Sequence, residues 1–204
     1  MTLSIIAIVA SYLLGSVSFS LLIGKWLRGI DIRQHGSGNA GATNTLRVLG
    51  KGPAAGVLLL DAAKGMVAVL MGYLLSDYTW VMVLSGIAAI VGHNWPVYFR
   101  FRGGKGIATT IGVLAVLAFW PALCAGIIAI ASIAWKRYVS LGSLLFAGLT
   151  PIFILLFQYD WSIFWGSLLL CLFAFYRHRS NIVKLVQGTE NRLGASKGGV
   201  SRVR

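Results

Sequence analysis

Residues 107–135 read IATTIGVLAVLAFWPALCAGIIAIASIAW, an uncharged apolar run with Trp120-Pro121 near its middle. About 20 apolar residues span a bilayer. The run is therefore either one long helix kinked at Pro121 or two short helices turning at Trp120-Pro121. Proline removes a backbone donor and favours the break. The choice decides the fold, because one helix and two helices put the rest of the chain on opposite sides of the membrane.

Charge on either side arbitrates. The loop before this run holds Arg100, Arg102 and Lys105, and Lys136 and Arg137 follow it, whereas Trp120-Pro121 has no basic neighbour. Further out, Lys25, Arg28, Arg33, Arg47 and Lys51 cluster in one early loop, and the C-terminal segment is basic from Arg177 onward. The turns at Ser76-Asp77 and Gln158-Tyr159-Asp160 hold no Lys or Arg. Seven spans place every basic residue except Lys64 on one side, and one long helix at 107–135 breaks that alternation. The positive-inside rule then predicts an all-α integral membrane protein of seven transmembrane helices, N-terminus outside and C-terminus cytoplasmic. The predicted spans are roughly 3–23, 53–75, 79–99, 107–119, 121–135, 142–157 and 161–176 of a single polytopic domain. Short spans are accommodated by tilt or a locally thin bilayer. The first lacks the basic flank of a signal peptide and reads as a true span.

Composition agrees. The chain has 204 residues, 57% hydrophobic and only 11% charged, with mean hydropathy +0.81. Soluble domains run about 45–50% apolar and about 25% charged, so a soluble globular domain is excluded. The net charge of +13 in so apolar a chain points to one membrane face or an anionic substrate rather than nucleic acid. Cys124 and Cys171 lie in apolar runs and read as core residues. Residues 193–204 form a polar, basic tail expected to fray.

Three blocks on the predicted cytoplasmic side carry chemistry. The first is His35-Gly36-Ser37-Gly38-Asn39-Ala40-Gly41-Ala42-Thr43-Asn44, with Arg47 beyond. Successive amides here suit an anion nest, and Gly41-Ala42-Thr43-Asn44 suits the start of a short helix whose N-terminus favours phosphate. Ser37, Asn39, Thr43 and Asn44 offer neutral donors, and Arg47 a planar fork. No nucleotide P-loop pattern is present; a flexible connector is the plainer alternative. The second block is Arg100-Phe101-Arg102-Gly103-Gly104-Lys105-Gly106, which reads as a further phosphate cradle, although basic residues at a helix end also follow from topology alone. The third is His178-Arg179-Ser180-Asn181 through Gly188-Thr189-Glu190; His178 and Asn181 share a helix face, while a basic helix on headgroups is the plainer reading. Glu190 is expected to make a structural ion pair. Ser140 or Ser143 is expected to cap the sixth span. Asp61 and Lys64, three apart inside the second span, are read as a local ion pair, and His93 as a packing residue. There is no zinc-type Cys/His spacing, no G-x-S-x-G elbow, no paired carboxylates and no H-x4-D pattern, so no metal or cofactor is expected. Without a strong base, catalysis would rest on positioning and charge.

These blocks, in this order, resemble the bacterial PlsY family, the acyl-phosphate-dependent glycerol-3-phosphate acyltransferases. The residues carrying the likeness are Gly36 to Asn44 with Arg47, Gly103-Gly104-Lys105-Gly106, and His178 to Ile182 through Gly188-Thr189-Glu190. The resemblance implies transfer of a fatty acyl group from acyl phosphate to the 1-hydroxyl of sn-glycerol 3-phosphate. Lysophosphatidate and inorganic phosphate are the implied products, in the first acylation of bacterial phospholipid synthesis. It implies seven helices, an active site facing the cytoplasm from the bacterial inner membrane, and a soluble enzyme that forms the acyl phosphate. Ser37, Arg47, Lys105, His178 and Asn181 are then expected around the glycerol 3-phosphate. Gly38, Asn39, Gly41, Ala42, Thr43, Asn44, Gly103, Gly104 and Ser143 are expected to contact substrate, and Asp61, Lys64 and Glu190 to be structural. The competing readings are a transporter for a phosphorylated anion, motivated by Asp61 and Lys64, and a non-catalytic scaffold at anionic headgroups.

Overall fold

The computed structural model describes residues 1–194; residues 195–204 of the expected tail lie outside the described residues. Leu193, at its start, donates its amide to the Arg137 carbonyl at 2.6 Å.

The first apolar run is not one helix but two, α1 (Thr2–Gly15) and α2 (Phe19–Arg28), interrupted at residues 16–18. The interruption frees backbone carbonyls in a region with no water to take them. Lys64 donates its ammonium to the Val17 carbonyl at 2.7 Å, and Ser16 donates its hydroxyl to Tyr12 O at 2.9 Å. A short helix α3 (Ala42–Leu49) follows the first loop, starting where Gly41-Ala42 suggests. Then come α4 (Lys51–Leu75) and α5 (Thr79–Asn94).

The run 107–135 folds as two helices, α6 (Ile107–Leu117) and α7 (Phe119–Lys136). The break falls at Ala118 (φ −153°, ψ 66°) and not at the expected Trp120-Pro121. Pro121 is the third residue of α7, a position whose amide has no intrahelical partner in any helix. The proline is tolerated inside the first turn and starts the second helix instead of forming the corner. The chain continues with α8 (Val139–Leu156), α9 (Trp161–Arg177) and α10 (Arg179–Val186).

Five helical stretches are long and apolar enough to cross a membrane: Thr2–Arg28, Lys51–Leu75, Thr79–Phe99, Phe119–Lys136 and Val139–Leu156; Ile107–Leu117 and Trp161–Arg177 are apolar but shorter. Small residues set the closest crossings. A Cβ on Gly15 or Gly92 would strike backbone across the α1–α5 contact, and one on Gly65 or Gly112 would strike backbone across α4–α6. Such close approach is how membrane helices gain packing energy. As a result α6 leans on α4 while α7 leans on α8, and a space opens between α6 and α7. The three chemistry-bearing blocks meet at one end of that space.

Candidate active site

The first loop is held by one side chain. Asn44 is fully buried; its amide donates to Ile32 O and His35 O, both at 3.0 Å, and its oxygen accepts the Ser37 amide at 2.8 Å. The expected neutral donor is therefore occupied in shaping the loop. Gly38, Gly41 and Asn44 also give their amides to loop carbonyls. Among the described residues this leaves the amides of Gly36, Asn39 and Ala40 in the loop, and of Ala42 and Thr43 at the start of α3, without a carbonyl partner; for the last two, helix geometry requires it. The nest expected over the ten residues His35 to Asn44 narrows to those five amides. Arg33 straps this loop to the next. It pairs with Asp31 at 2.7 Å and donates to Phe99 O at 3.1 Å and Arg102 O at 3.0 Å. The guanidinium holds the Asp31 carboxyl below its ordinary range despite partial burial.

The second loop corrects the expectation of a cradle. Gly103 donates to Asn94 O at 3.3 Å and Gly104 to His93 O at 3.1 Å. Their carbonyls accept from Arg177, at 3.3 Å for Gly103 and at 3.1 and 2.5 Å for Gly104. Both amides are engaged, so neither is free for phosphate. The glycines serve close approach instead: a Cβ on Gly103 would meet His93 O, and one on Gly104 would meet His93 Nε2 and Ala40 O. What the loop presents is Lys105. Burial pushes its ammonium down to about 8; Glu190 opposes this, and Arg177, Arg47 and Lys184 add to it.

The third block comes to Lys105 from α10. Lys105 donates to Asn181 Oδ1, and Asn181 Nδ2 donates to Glu190 Oε1 at 2.9 Å. Glu190 thus makes no ion pair of its own among the described residues, contrary to expectation; it orients the amide that meets the lysine. His178 is buried, and its Nδ1 lies 2.8 Å from Ala174 O. A carbonyl only accepts, so Nδ1 carries the proton and Nε2 keeps its lone pair. Burial, with Lys105 and Arg177 nearby, pushes His178 down to about 4. At neutral pH it is an uncharged acceptor. Neither serine caps α8: its N-cap is Tyr138, Ser143 donates back to Val139 O at 2.9 Å, and the Ser140 hydroxyl is buried with no partner among the described residues.

One cavity of about 980 Å³ joins these parts. Ser37, Gly38, Asn39, Gly41, Ala42, Thr43, Asn44, Arg47, Gly103, Lys105, Ser143, His178, Asn181 and Glu190 line its polar end. Ile107, Ile111 and Ala115 of α6 and Phe119, Leu123, Ile127 and Ile130 of α7 line the rest. Of the expected site residues, Gly104 stands behind the wall. A cationic, hydrogen-bonding end opening into an apolar trench suits an amphiphile with an anionic head.

Three residues do more at the site than their sequence reading gave them. Arg177 reads as one more topological cation, and only the fold shows it gripping the Gly103-Gly104 carbonyls. Asp61 and His93 line the cavity although both lie in apolar helices. The signal for the former was a charge inside a span; the latter left none.

The profile of the family described as glycerol-3-phosphate acyltransferase matches residues 5–188. A glycerol-3-phosphate acyltransferase of Shouchella clausii is 59% identical over 201 residues, covering 95% of this chain and 98% of that protein. One of Halalkalibacterium halodurans is 55% identical over 203 residues, covering 97% and 98%. Among solved structures, the chain resembles PlsY, an integral membrane glycerol 3-phosphate acyltransferase, in its glycerol 3-phosphate form: TM-score 0.89, 36% identity, 94% of this chain and 96% of that one. The lysophosphatidic acid form gives a TM-score of 0.86 at the same identity, over 94% and 95%.

Proposed function

We infer that this chain, which belongs to the glycerol-3-phosphate acyltransferase family and is a multi-pass membrane protein, takes its acyl group from acyl phosphate. In this reading it acylates the 1-hydroxyl of sn-glycerol 3-phosphate and releases lysophosphatidate and inorganic phosphate. The supporting observation is the two-part cavity. Arg47 and Lys105 supply cations for the acceptor phosphate, Ser37, Asn181 and Ser143 supply polar contacts, and the unpaired amides of Ala42 and Thr43 face the donor phosphoryl group. The trench between α6 and α7 takes the acyl chain.

The missing base supports the donor. His178 is neutral and weakly basic, Glu190 is engaged with Asn181, and Asp61 with Lys64. An acyl phosphate is an activated mixed anhydride. The hydroxyl oxygen attacks the acyl carbon, the bond from that carbon to the phosphate oxygen breaks, and the hydroxyl proton passes to a phosphate oxygen. The protein's part is to align the reactants and to hold charge in a dry site. His178 Nε2 accepts a hydrogen bond from a glycerol hydroxyl and orients it. Seven crossings with the basic loops on the cytoplasmic face of the bacterial inner membrane put the site within reach of a soluble acyl-phosphate-forming enzyme.

Purified protein in mild detergent tests this with palmitoyl phosphate and labelled glycerol 3-phosphate, against palmitoyl-CoA and palmitoyl carrier protein. Lysophosphatidate with equimolar phosphate from acyl phosphate alone is expected. Product from a thioester alone would overturn the donor. Flux of a phosphorylated anion into sealed vesicles, without conversion, would replace the reaction with transport.

A further inference from the structure

We propose that the buried Asp61–Lys64–His93 cluster is a positioning device for Lys105, acting through the Gly103-Gly104 backbone. The contacts run in one direction. The Lys64 ammonium has three N–H donors and no acceptor. It lies 2.7 Å from Asp61 Oδ1, 2.7 Å from Val17 O and 3.0 Å from His93 Nδ1. Lys64 pairs with Asp61 and donates to the Val17 carbonyl, and because an ammonium only donates, Nδ1 accepts in its contact with His93. Asp61 Oδ1 stands 3.4 Å from the same ring nitrogen. Asp61, Lys64 and His93 are all 5% exposed or less. Their ring therefore has one setting.

The other edge of that ring faces the site. A Cβ on Gly104 would meet His93 Nε2 and the Ala40 carbonyl together, so His93 packs where the first and second loops touch. The His93 carbonyl accepts the Gly104 amide, and Asn94 O accepts that of Gly103. Arg177 holds the same two residues from the opposite side. Lys105 is the next residue. A shift of the His93 ring moves Gly104, and with it the ammonium that meets Asn181.

Packing accounts for part of the cluster, since Lys64 serves the Val17 carbonyl at the α1–α2 break, but not for Asp61 or for the contact with the His93 ring. Charged side chains are costly in a membrane helix, and replacing a buried pair by apolar residues is often neutral or stabilising. Such replacement would give a sound helix α4 and a free His93. The inference rests on the function proposed above for the acceptor, and glycerol 3-phosphate is its probe.

The test is the double variant Asp61→Leu/Lys64→Met, with His93→Ala and His93→Asn beside it. The double variant folds with a thermal midpoint lowered by the loss of the Lys64 bond to the Val17 carbonyl, while the KM for glycerol 3-phosphate rises about tenfold to a hundredfold, the range for a misplaced binding group, with kcat within about threefold. His93→Ala shows the same split. His93→Asn, whose side-chain oxygen can accept from Lys64 where Nδ1 does, returns KM to within about threefold. Folded variants with wild-type KM overturn the proposal, as does a fall in kcat at constant KM. If the double variant does not fold, the two His93 variants decide alone. Calorimetric Kd for glycerol 3-phosphate reads the same shift without turnover. A wild-type protein that binds but does not acylate from acyl phosphate thus fails the reaction, and the Kd comparison still decides the positioning.

Discussion

The two glycine-bearing loops look alike in sequence and are built on opposite plans. Residues 36–44 lead into α3 and leave the helix's first amides without protein partners. Residues 103–106 engage the amides and carbonyls of both leading glycines, between the end of α5 and Arg177. The first loop offers backbone; the second offers one side chain on a clamped backbone. Glycine beside a basic residue is therefore not by itself a phosphate cradle. What matters is whether its amides have already met a carbonyl, and that depends on residues some 10 to 70 positions away.

Gly104→Ala breaks the clamp and carries the largest expected effect. The new Cβ meets His93 and the Ala40 carbonyl, and the displaced Lys105 should lower kcat/KM by at least about a hundredfold, the scale of an ångström of misplacement. Acylation kinetics on detergent-purified protein check it; near-normal activity would mean the loop has slack. Ala42→Pro sharpens the other side. Proline suits the first helical position and the extended Gly41 before it (φ −168°, ψ 171°), so it deletes one amide and little else. A charge-assisted hydrogen bond is worth about 1.5–3 kcal/mol, so activity should fall roughly ten- to a hundredfold with the thermal midpoint held. An unchanged rate would show that this amide touches no substrate.

Next in size is pH. Burial holds Lys105 down to about 8, so its cation is present below that pH and lost above it. Affinity for glycerol 3-phosphate should weaken as pH climbs from 8 towards 9.5, approaching a tenfold loss per unit. Lys105→Arg should flatten the curve, because a guanidinium stays charged. Calorimetric Kd across that range decides it, and a flat wild-type curve would remove Lys105 from the phosphate. The smallest effect belongs to Gly38→Ala. Its φ of +74° is left-handed, which costs an L-residue about 1–2 kcal/mol; the thermal midpoint should drop by several degrees with KM little altered.

Loop chemistry was the most legible part of the site. Ser37, Arg47, Lys105, His178 and Asn181 are polar residues at loop positions in an apolar chain, and all line one cavity. Glu190 was legible as structural but not in its partner, since an ion pair and a hydrogen bond to Asn181 leave the same trace in sequence. Asn44 read as a ligand because an exposed and a buried asparagine are indistinguishable until the loop closes around it. The corner after α6 lies at Ala118, two residues before the Trp120-Pro121 that the sequence suggests. Proline reports where an amide is dispensable, and the first turn of a helix is as dispensable as a corner.

The helical, membrane-bound character of the chain, and which of its blocks carry charge into a lipid setting, can be read from the amino-acid order alone. Those follow from local quantities: apolar length, the missing donor of a proline, and the solvation cost of each ion. Which amides stay free, which arginine grips which loop, and that a lysine in α4 reaches a broken helix and a histidine at once follow from the packed helices. Hydrogen bonds saturate. A group's availability for substrate depends on whether a distant partner has already taken it, and that is settled only when the helices pack.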